Sequence, residues 1–217
     1  MGHKTMKNIK GIIFDLDGVL LSTDHFHYLA WKALADKLGI PFDEKKNDLL
    51  RGVSRMDSLE IILGGRTDEF SPEEKIVFAS EKNTAYRGYL QDLTPDFVDS
   101  SVPETLQKLR NAGLRLAVGS SSKNTPLILE KTGLRKYFDA VSDGNNISRS
   151  KPDPEVFLKA AQFIGLEPSV CAVVEDANSG IEAAKRGGFY AISIGESINN
   201  GLDDKHIEAL SDLVDLI

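Results

Sequence analysis

Residues 11–20 read Gly11-Ile12-Ile13-Phe14-Asp15-Leu16-Asp17-Gly18-Val19-Leu20, and this stretch decides the fold. An apolar run leads into two carboxylates one residue apart, and a glycine follows. Side chains alternate faces along a strand, so Asp15 and Asp17 project to the same side. Unpaired buried charge is costly, so a buried strand ending in two same-side carboxylates calls for a counter-charge. A bound divalent cation would supply one. The first carboxylate could then act as nucleophile and the second as proton donor and acceptor. A strand end followed by an Asp-Gly turn accounts for the same residues without any chemistry, so the weight falls on the rest of the chain.

Working outward, similar apolar runs occur at 115–119, 138–142, 170–174 and 190–195. Helical patterns lie between them at 103–112, 124–132, 153–164 and 178–186, with stops at Gly113, Gly133, Gly165 and the Gly187-Gly188 pair. Strand alternating with helix predicts an α/β fold with parallel strands and right-handed crossovers. Near-continuous apolar strands predict a sheet with helices on both faces. Ligands of such sheets sit beyond the carboxyl ends of the strands, where Asp15, Ser120 and Glu175 fall. Residues 24–92 break the rhythm. Tyr28, Leu29, Trp31, Leu34, Ala35 and Leu38 form one helical pattern, stopped at Gly39 and Pro41. A second helix is predicted before Gly52 and a third from near Arg55. A long one follows Ser71-Pro72-Glu73-Glu74, an N-cap with proline at the first helical position. The predicted organisation is an α/β core domain from 1–23 and 93–217, with an all-helical domain inserted at 24–92.

The chain has 217 residues, enough for one large domain or a core with a smaller insertion. Asp and Glu outnumber Lys and Arg 33 to 26, a net charge of −7. That argues against nucleic acid or an anionic membrane as partner. It does not exclude an anionic small molecule, because a few local cations and a metal can dominate one pocket. No apolar run approaches the roughly 20 residues that span a bilayer, and no secretory-signal core opens the chain. The single cysteine, Cys171, cannot form an internal disulfide and reads as a small buried hydrophobe. The expectation is a cytoplasmic protein.

Three later segments bear on the carboxylate pair. Val118-Gly119-Ser120-Ser121-Ser122-Lys123-Asn124 follows a strand and opens a helix, so its amides, hydroxyls and lysine could bind an anion. A plain loop with an N-cap has the same composition. Ser150-Lys151-Pro152-Asp153-Pro154 holds a lysine in a proline-stiffened turn, although most lone lysines are solvated. Val173-Val174-Glu175-Asp176 ends an apolar strand in two acids. Hard cations such as Mg²⁺ take oxygen ligands; Asp176 could equally cap the next helix, a role that explains Glu175 less well.

In this order and at these strand ends, the four segments make the chain resemble the haloacid dehalogenase superfamily of phosphotransferases over nearly its whole length. The resemblance implies a Rossmann-like core and makes the 24–92 insertion a specificity cap. It implies Asp15 as the nucleophile that becomes an aspartyl phosphate, and Asp17 as general acid/base with its carbonyl on the metal. Asp15, Glu175 and Asp176 would complete the protein ligands of one Mg²⁺ per site, and Ser120, Ser121 and Lys151 would hold the transferring phosphoryl group. Ser121 departs from the pattern, in which alanine is expected. Within the superfamily the chain is similar to the β-phosphoglucomutases. The matching stretches are Asp24-His25-Phe26-His27-Tyr28, Ala30-Trp31-Lys32-Ala33-Leu34-Ala35, Leu50-Arg51-Gly52-Val53-Ser54-Arg55-Met56-Asp57-Ser58-Leu59, Glu81-Lys82-Asn83 and Ser122-Lys123-Asn124.

This likeness implies interconversion of β-glucose 1-phosphate and glucose 6-phosphate through β-glucose 1,6-bisphosphate, which also serves as primer. The distal phosphate and sugar would fall to Arg55, Ser122, Lys123 and Asn124, with Gly52, Val53 and Ser58. Thr23 would be the cap hinge. His27 and Lys82 would couple cap closure to Asp17, with Trp31 in the cap core. The expected partners are small sugar phosphates, and the expected state is a monomer. A sugar-phosphate phosphatase of the same superfamily is the alternative, and it needs only Asp15, Asp17, Ser120, Lys151, Glu175 and Asp176.

Overall fold

A computed structural model of the chain describes residues 8–50, 53–195, 198 and 201–217. Two compact units are resolved, Met1–Ser22 with Thr94–Ile217, and Thr23–Leu93. In the first, six strands form one parallel sheet: β1 (Gly11–Phe14), β2 (Arg115–Gly119), β3 (Ala140–Ser142), β4 (Cys171–Glu175), β5 (Tyr190–Ile194) and β6 (Lys205–Ile207), in the order β3-β2-β1-β4-β5-β6. The first strand is therefore central. Phe14 pairs with Val118 on one side and Val174 on the other, so Asp15, Ser120 and Glu175 emerge at one end of adjacent strands.

Alternation along β1 splits the core. Ile13, with Ala117, Val173 and Ala191, packs under α7 (Glu155–Phe163) and α8 (Asn178–Arg186) through Val156, Phe157, Ala160, Ile181 and Ala184. Ile12 and Phe14 are fully buried on the opposite face, and α5 (Ser101–Asn111) packs against β2. Each such fully buried large side chain contributes about 1.5–3 kcal/mol. The predicted α/β class, a parallel sheet covered on both faces, is the observed one. Cys171 is fully buried, and burial, then Glu167, pushes its thiol up to about 11. It packs as an inert apolar residue.

Boundaries shift where turns compete with regular structure. β3 starts two residues later than the apolar run because Phe138 ends a 3₁₀ turn and packs edge-on against Phe14, while the Asp139 carboxylate accepts from Leu116 N–H at 2.8 Å. α7 begins at Glu155, since Pro152 and Pro154 hold the preceding residues in turns. The helix after β2, α6 (Thr125–Lys131), is only seven residues long. Any anion binding in that loop therefore falls to its side chains and loop amides. β6 was not predicted at all.

The second unit is helical: α1 (Asp24–Lys37), α2 (Glu44–Asp48), α3 (Arg55–Leu63) and α4 (Pro72–Tyr89). Its core gathers Trp31, Leu34, Ala35, Phe42, Leu59, Ile62 and Ala79. Ser54 caps α3 by accepting from Asp57 N–H at 3.3 Å. A reciprocal Ser71–Glu74 capping box starts α4, with Glu74 N–H to Ser71 Oγ at 3.2 Å and Ser71 N–H to Glu74 Oε2 at 2.8 Å. No helix among the described residues is long and apolar enough to cross a membrane.

Candidate active site

The sheet unit brings the expected core residues together at the carboxyl ends of β1, β2 and β4. Asp15 is buried at the end of β1, its N–H bonded to Val174 O at 3.0 Å. Lys151 arrives from the loop before α7. Its ammonium donates to Asp15 Oδ1 and Glu175 Oε1, each at 2.5 Å, and sits 4.7 Å from the centre of the Phe157 ring. The other oxygen of Glu175 accepts from Ala177 N–H at 2.8 Å, so Glu175 ties the lysine to the start of α8. Ser120 is buried, with its N–H on Ser142 O at 3.1 Å and its Oγ accepting from Ser122 N–H at 3.2 Å. Asp17 is half-buried in a turn closed by Gly18 N–H to Leu21 O at 2.7 Å. Gly18 has φ +85°, and a Cβ there would lie 2.0 Å from Asp176 Oδ2. Only glycine lets the Asp176 carboxylate lean over the Asp15-Leu16-Asp17 loop.

Acids outnumber bases among Asp15, Glu175, Asp176 and Lys151. Burial holds the Asp15 carboxyl well above the usual range. Lys151 pulls it back, and Glu175 and Asp176 push it further up. Burial also opposes the charge on Lys151, but Asp15 and Glu175 outweigh it, so the lysine stays above its ordinary value and protonated. Two buried carboxylates thus share one ammonium with half-buried Asp176 beside them, an acid-rich cluster that would suit a divalent cation. The donors are all hard oxygens: the Asp15 and Asp176 carboxylates and the Asp17 carbonyl, with Glu175 beside them. Among the described residues, no three Asp, Glu, His or Cys side chains are gathered closely enough to hold an ion unaided. Lys151 instead takes up Asp15 and Glu175. The residues fit Mg²⁺ by donor chemistry and by charge.

The loop after Ser120 places Ser122, Lys123 and Asn124 next to it. Asn124 N–H donates to Ser122 Oγ at 3.2 Å, and Lys123 is exposed. In the helical unit, Lys82 is buried, with Nζ 2.8 Å from His27 Nδ1 and 4.6 Å and 4.8 Å from the Trp31 and Tyr86 rings. The ammonium must donate, so His27 is neutral with its proton on Nε2. Burial, then Lys82 and Arg55, hold its pKa well below the usual histidine value. Thr23 Oγ1 and Tyr86 OH share a hydrogen bond at 2.8 Å. Arg55 is half-buried at the start of α3, its pKa lowered by burial and partly restored by the Tyr86 phenol. Ser58 is buried within α3 and Val53 half-buried before it. Gly52 lies outside the described residues. Sequence reasoning missed Tyr86, which joins Thr23, His27 and Lys82; its i+4 spacing from Lys82 on α4 was the available signal. It also missed Phe157, for which no local pattern exists.

A parallel α/β sheet with a buried aspartate at the end of its central strand, clamped by a lysine and flanked by further acids, defines a class of aspartate-based enzymes. The model of the haloacid dehalogenase-like hydrolase family matches residues 9–188, and the chain belongs to that family. Among its relatives, a β-phosphoglucomutase of Bacillus subtilis is 38% identical over 190 residues, covering 87% of this chain and 84% of the relative. A fructose-1-phosphate phosphatase of Escherichia coli is 32% identical over 184 residues, covering 85% and 95%. The crystal structure of a β-phosphoglucomutase from Clostridium difficile superposes with a TM-score of 0.89 at 34% identity, covering 94% of this chain and 93% of that one.

Proposed function

We propose that the protein is a Mg²⁺-dependent mutase that interconverts β-glucose 1-phosphate and glucose 6-phosphate through β-glucose 1,6-bisphosphate. In this reading Asp15 enters the cycle carrying a phosphoryl group from the bisphosphate primer, and Asp17 takes the proton of the 6-hydroxyl of β-glucose 1-phosphate as that oxygen removes the phosphoryl group from Asp15, giving the bisphosphate. After the bisphosphate turns round, an Asp15 oxygen attacks the phosphorus on O1, the phosphorus–sugar oxygen bond breaks, and Asp17 returns the proton to the departing oxygen, leaving glucose 6-phosphate and a phosphorylated Asp15. Ser120, Ser121 and Lys151 orient the phosphoryl oxygens. Asp15, the Asp17 carbonyl, Asp176 and Glu175 would hold Mg²⁺, which when bound neutralises charge on the transferring group. The helical unit is proposed as the cap. Thr23 would be its hinge, His27, Lys82 and Trp31 its coupling network, and Val53 and Ser58 part of the sugar wall.

The observation that carries the mutase over a phosphatase is Arg55. It is a half-buried guanidinium, and no carboxylate among the described residues pairs with it. Hydrolysis of one phosphate needs no second cation. A bisphosphate intermediate does, and arginine's planar fork suits phosphate oxygens, with Ser122, Lys123 and Asn124 as co-ligands. The likeness to β-phosphoglucomutases supports this reading, and the phosphatase relatives keep hydrolysis as the alternative. The deciding experiment incubates the protein with Mg²⁺, β-glucose 1-phosphate and a trace of bisphosphate, and follows glucose 6-phosphate and free phosphate together. Glucose 6-phosphate forming well ahead of phosphate is expected. Phosphate release without isomerisation would overturn the mutase and leave the phosphatase.

A further inference from the structure

Lys151 comes from a stretch with no regular structure of its own. Residues 143–154, between β3 and α7, form only turns and bends. Yet the lysine ammonium meets two carboxylates that lie 136 and 24 residues away along the chain. One side chain fastens the stretch: Glu155, the first residue of α7. Its Oε2 accepts from Ser148 N–H at 2.9 Å, from Ser148 Oγ at 2.9 Å and from Arg149 N–H at 2.8 Å. Its Oε1 pairs with Lys159 at 2.8 Å, and Lys159 Nζ also donates to the Asn146 carbonyl. The Ser148 and Arg149 amides have no other acceptor among the described residues. An acid in the first turn of a helix suits the helix dipole, but that role does not explain this aim. Asp153 already serves the helix start, accepting from Glu155 N–H at 3.0 Å, and Glu155 reaches back instead. Lys159 first, then the two amides and the Ser148 hydroxyl, pull its carboxyl down to about 2, so the acceptor stays ionised.

This fastening closes residues 148–155 into a loop with fixed ends and Lys151 near its middle. Inside the loop, Asp153 N–H donates to Ser150 O at 3.0 Å, and the Asp153 carboxylate pairs with Arg149 at 3.1 Å. The same helix meets the other end of the lysine. The fully buried Phe157 ring lies 4.7 Å from the ammonium, and it packs against β2, where a Cβ on Gly119 would come within 2.7 Å of it. Thus α7 holds both the backbone that carries Lys151 and the ring that its charge faces. We propose that Glu155 is the positioning residue of Lys151: its carboxylate fixes the ends of the loop and so sets where the ammonium meets the phosphoryl group on Asp15. This rests on the reading of Lys151 as a holder of that group, but not on the choice of sugar or on isomerisation. A catalytic side chain must be held to within about 0.5 Å by the groups that support it, and a turn without ladder bonds cannot do that alone.

The test compares wild type, Glu155→Gln and Glu155→Ala, each labelled with ¹⁵N in its lysines. It reads the ¹H–¹⁵N signal of the Lys151 ammonium, assigned by its loss in Lys151→Arg, together with thermal unfolding and turnover. Turnover is that of β-glucose 1-phosphate with Mg²⁺ and a trace of bisphosphate, counted as glucose 6-phosphate plus free phosphate. In wild type the ammonium signal is expected to be sharp, because burial and two carboxylates slow its exchange with water. In Glu155→Ala it is expected to shift or broaden away, with kcat lower by about a hundredfold, the cost of a misplacement of about 1 Å. Glu155→Gln, which keeps an oxygen acceptor without its charge, is expected in between. An ammonium signal unchanged in both variants overturns the proposal, even if they melt lower or turn over more slowly, because Glu155 would then serve the fold alone. Turnover equal to wild type in both variants also overturns it. If Glu155→Ala does not unfold cooperatively, Glu155→Gln decides by the same readouts. Wild-type protein without a Lys151 ammonium signal would overturn the buried ion pair and this inference with it, and wild-type protein with no turnover at all would overturn the phosphoryl reading on which it rests. Wild-type protein that releases phosphate without glucose 6-phosphate would sink the mutase alone and leave this inference to be decided by the variants.

Discussion

Lys151 and His27 are both ring-packed nitrogen bases next to charge, yet they settle in opposite protonation states, and geometry explains why. Lys151 is 3% exposed between two carboxylates. Against a well-packed apolar residue, such a buried ion pair adds little stability; what it does is fix a positive charge beside Asp15. The charged neighbours that act on His27 are cations, Lys82 and Arg55, and its ring lies tilted against that of Tyr86 with centroids 4.1 Å apart. It is held neutral in the folded protein, while in the unfolded chain it protonates near pH 6.5. Above that pH both states bind no proton there and His27 adds no pH dependence. Below it, the unfolded state takes up a proton that the folded state refuses, so stability falls as pH drops toward the depressed folded value. For one proton the slope is at most about 1.4 kcal/mol per pH unit. Urea unfolding of wild type and His27→Gln at pH 7.5, 6.5 and 5.5 reads this directly. The stability of wild type relative to the variant is expected to decline by about 1 kcal/mol between pH 6.5 and 5.5. A gap that stays constant over that range contradicts a neutral His27.

At the scale of elements, legibility followed how local the determinants are. The start of α4 was readable because its signal is four consecutive residues: Ser71 as cap, Pro72 at the first position, then Glu73 and Glu74. Replacing a capping serine by alanine costs about 1 kcal/mol. Ser71→Ala removes the acceptor for Glu74 N–H and keeps the backbone N–H at position 71 that donates to the Glu74 carboxylate. Denaturant unfolding of that variant is expected to show a loss of about 1 kcal/mol, and a loss near zero would mean that the box is not formed in solution. The four apolar strands β1, β2, β4 and β5 were equally legible, since burial on both faces writes itself as a continuous apolar run. β6 was not. Lys205 and His206 are exposed on this edge strand and only Ile207 is buried. Its place is secured by long-range bonds, Ser193 Oγ to Asp203 Oδ2 at 2.7 Å and to His206 Nδ1 at 2.9 Å, which no local pattern announces. The same holds at the site. Asp15, Glu175 and Lys151 could be named from motifs, but that one lysine would bridge both acids, 136 and 24 residues away, is a property of strand order. Tyr86 and Phe157 entered only through packing.

For the whole molecule, the net charge of −7 sets a field that attracts cations and opposes phosphate dianions. An acidic enzyme for an anionic substrate therefore depends on local positive charge strong enough to reverse that field at one point. Lys151 supplies part of it, but it is spent against Asp15 and Glu175, and Asp176 adds a further negative charge to the cluster. A bound Mg²⁺ would close that deficit, and binding to the folded state alone must raise stability by mass action, about 2.7 kcal/mol when the ion is at a hundred times its dissociation constant. Thermal unfolding of the wild type is thus expected to shift upward with added MgCl₂ and return on chelation, with turnover lost and recovered in step. NaCl at equal ionic strength controls for screening. Asp176→Asn keeps the size of the side chain and removes one of the donor charges. It is expected to lose most of the Mg²⁺-dependent shift while its melting curve in chelator stays cooperative. Should the variant retain the full shift, the ion would be held by other carboxylates of this acidic surface. Asp176 would then serve only to pack against the Gly18 turn, since the N-cap of α8 is Ala177.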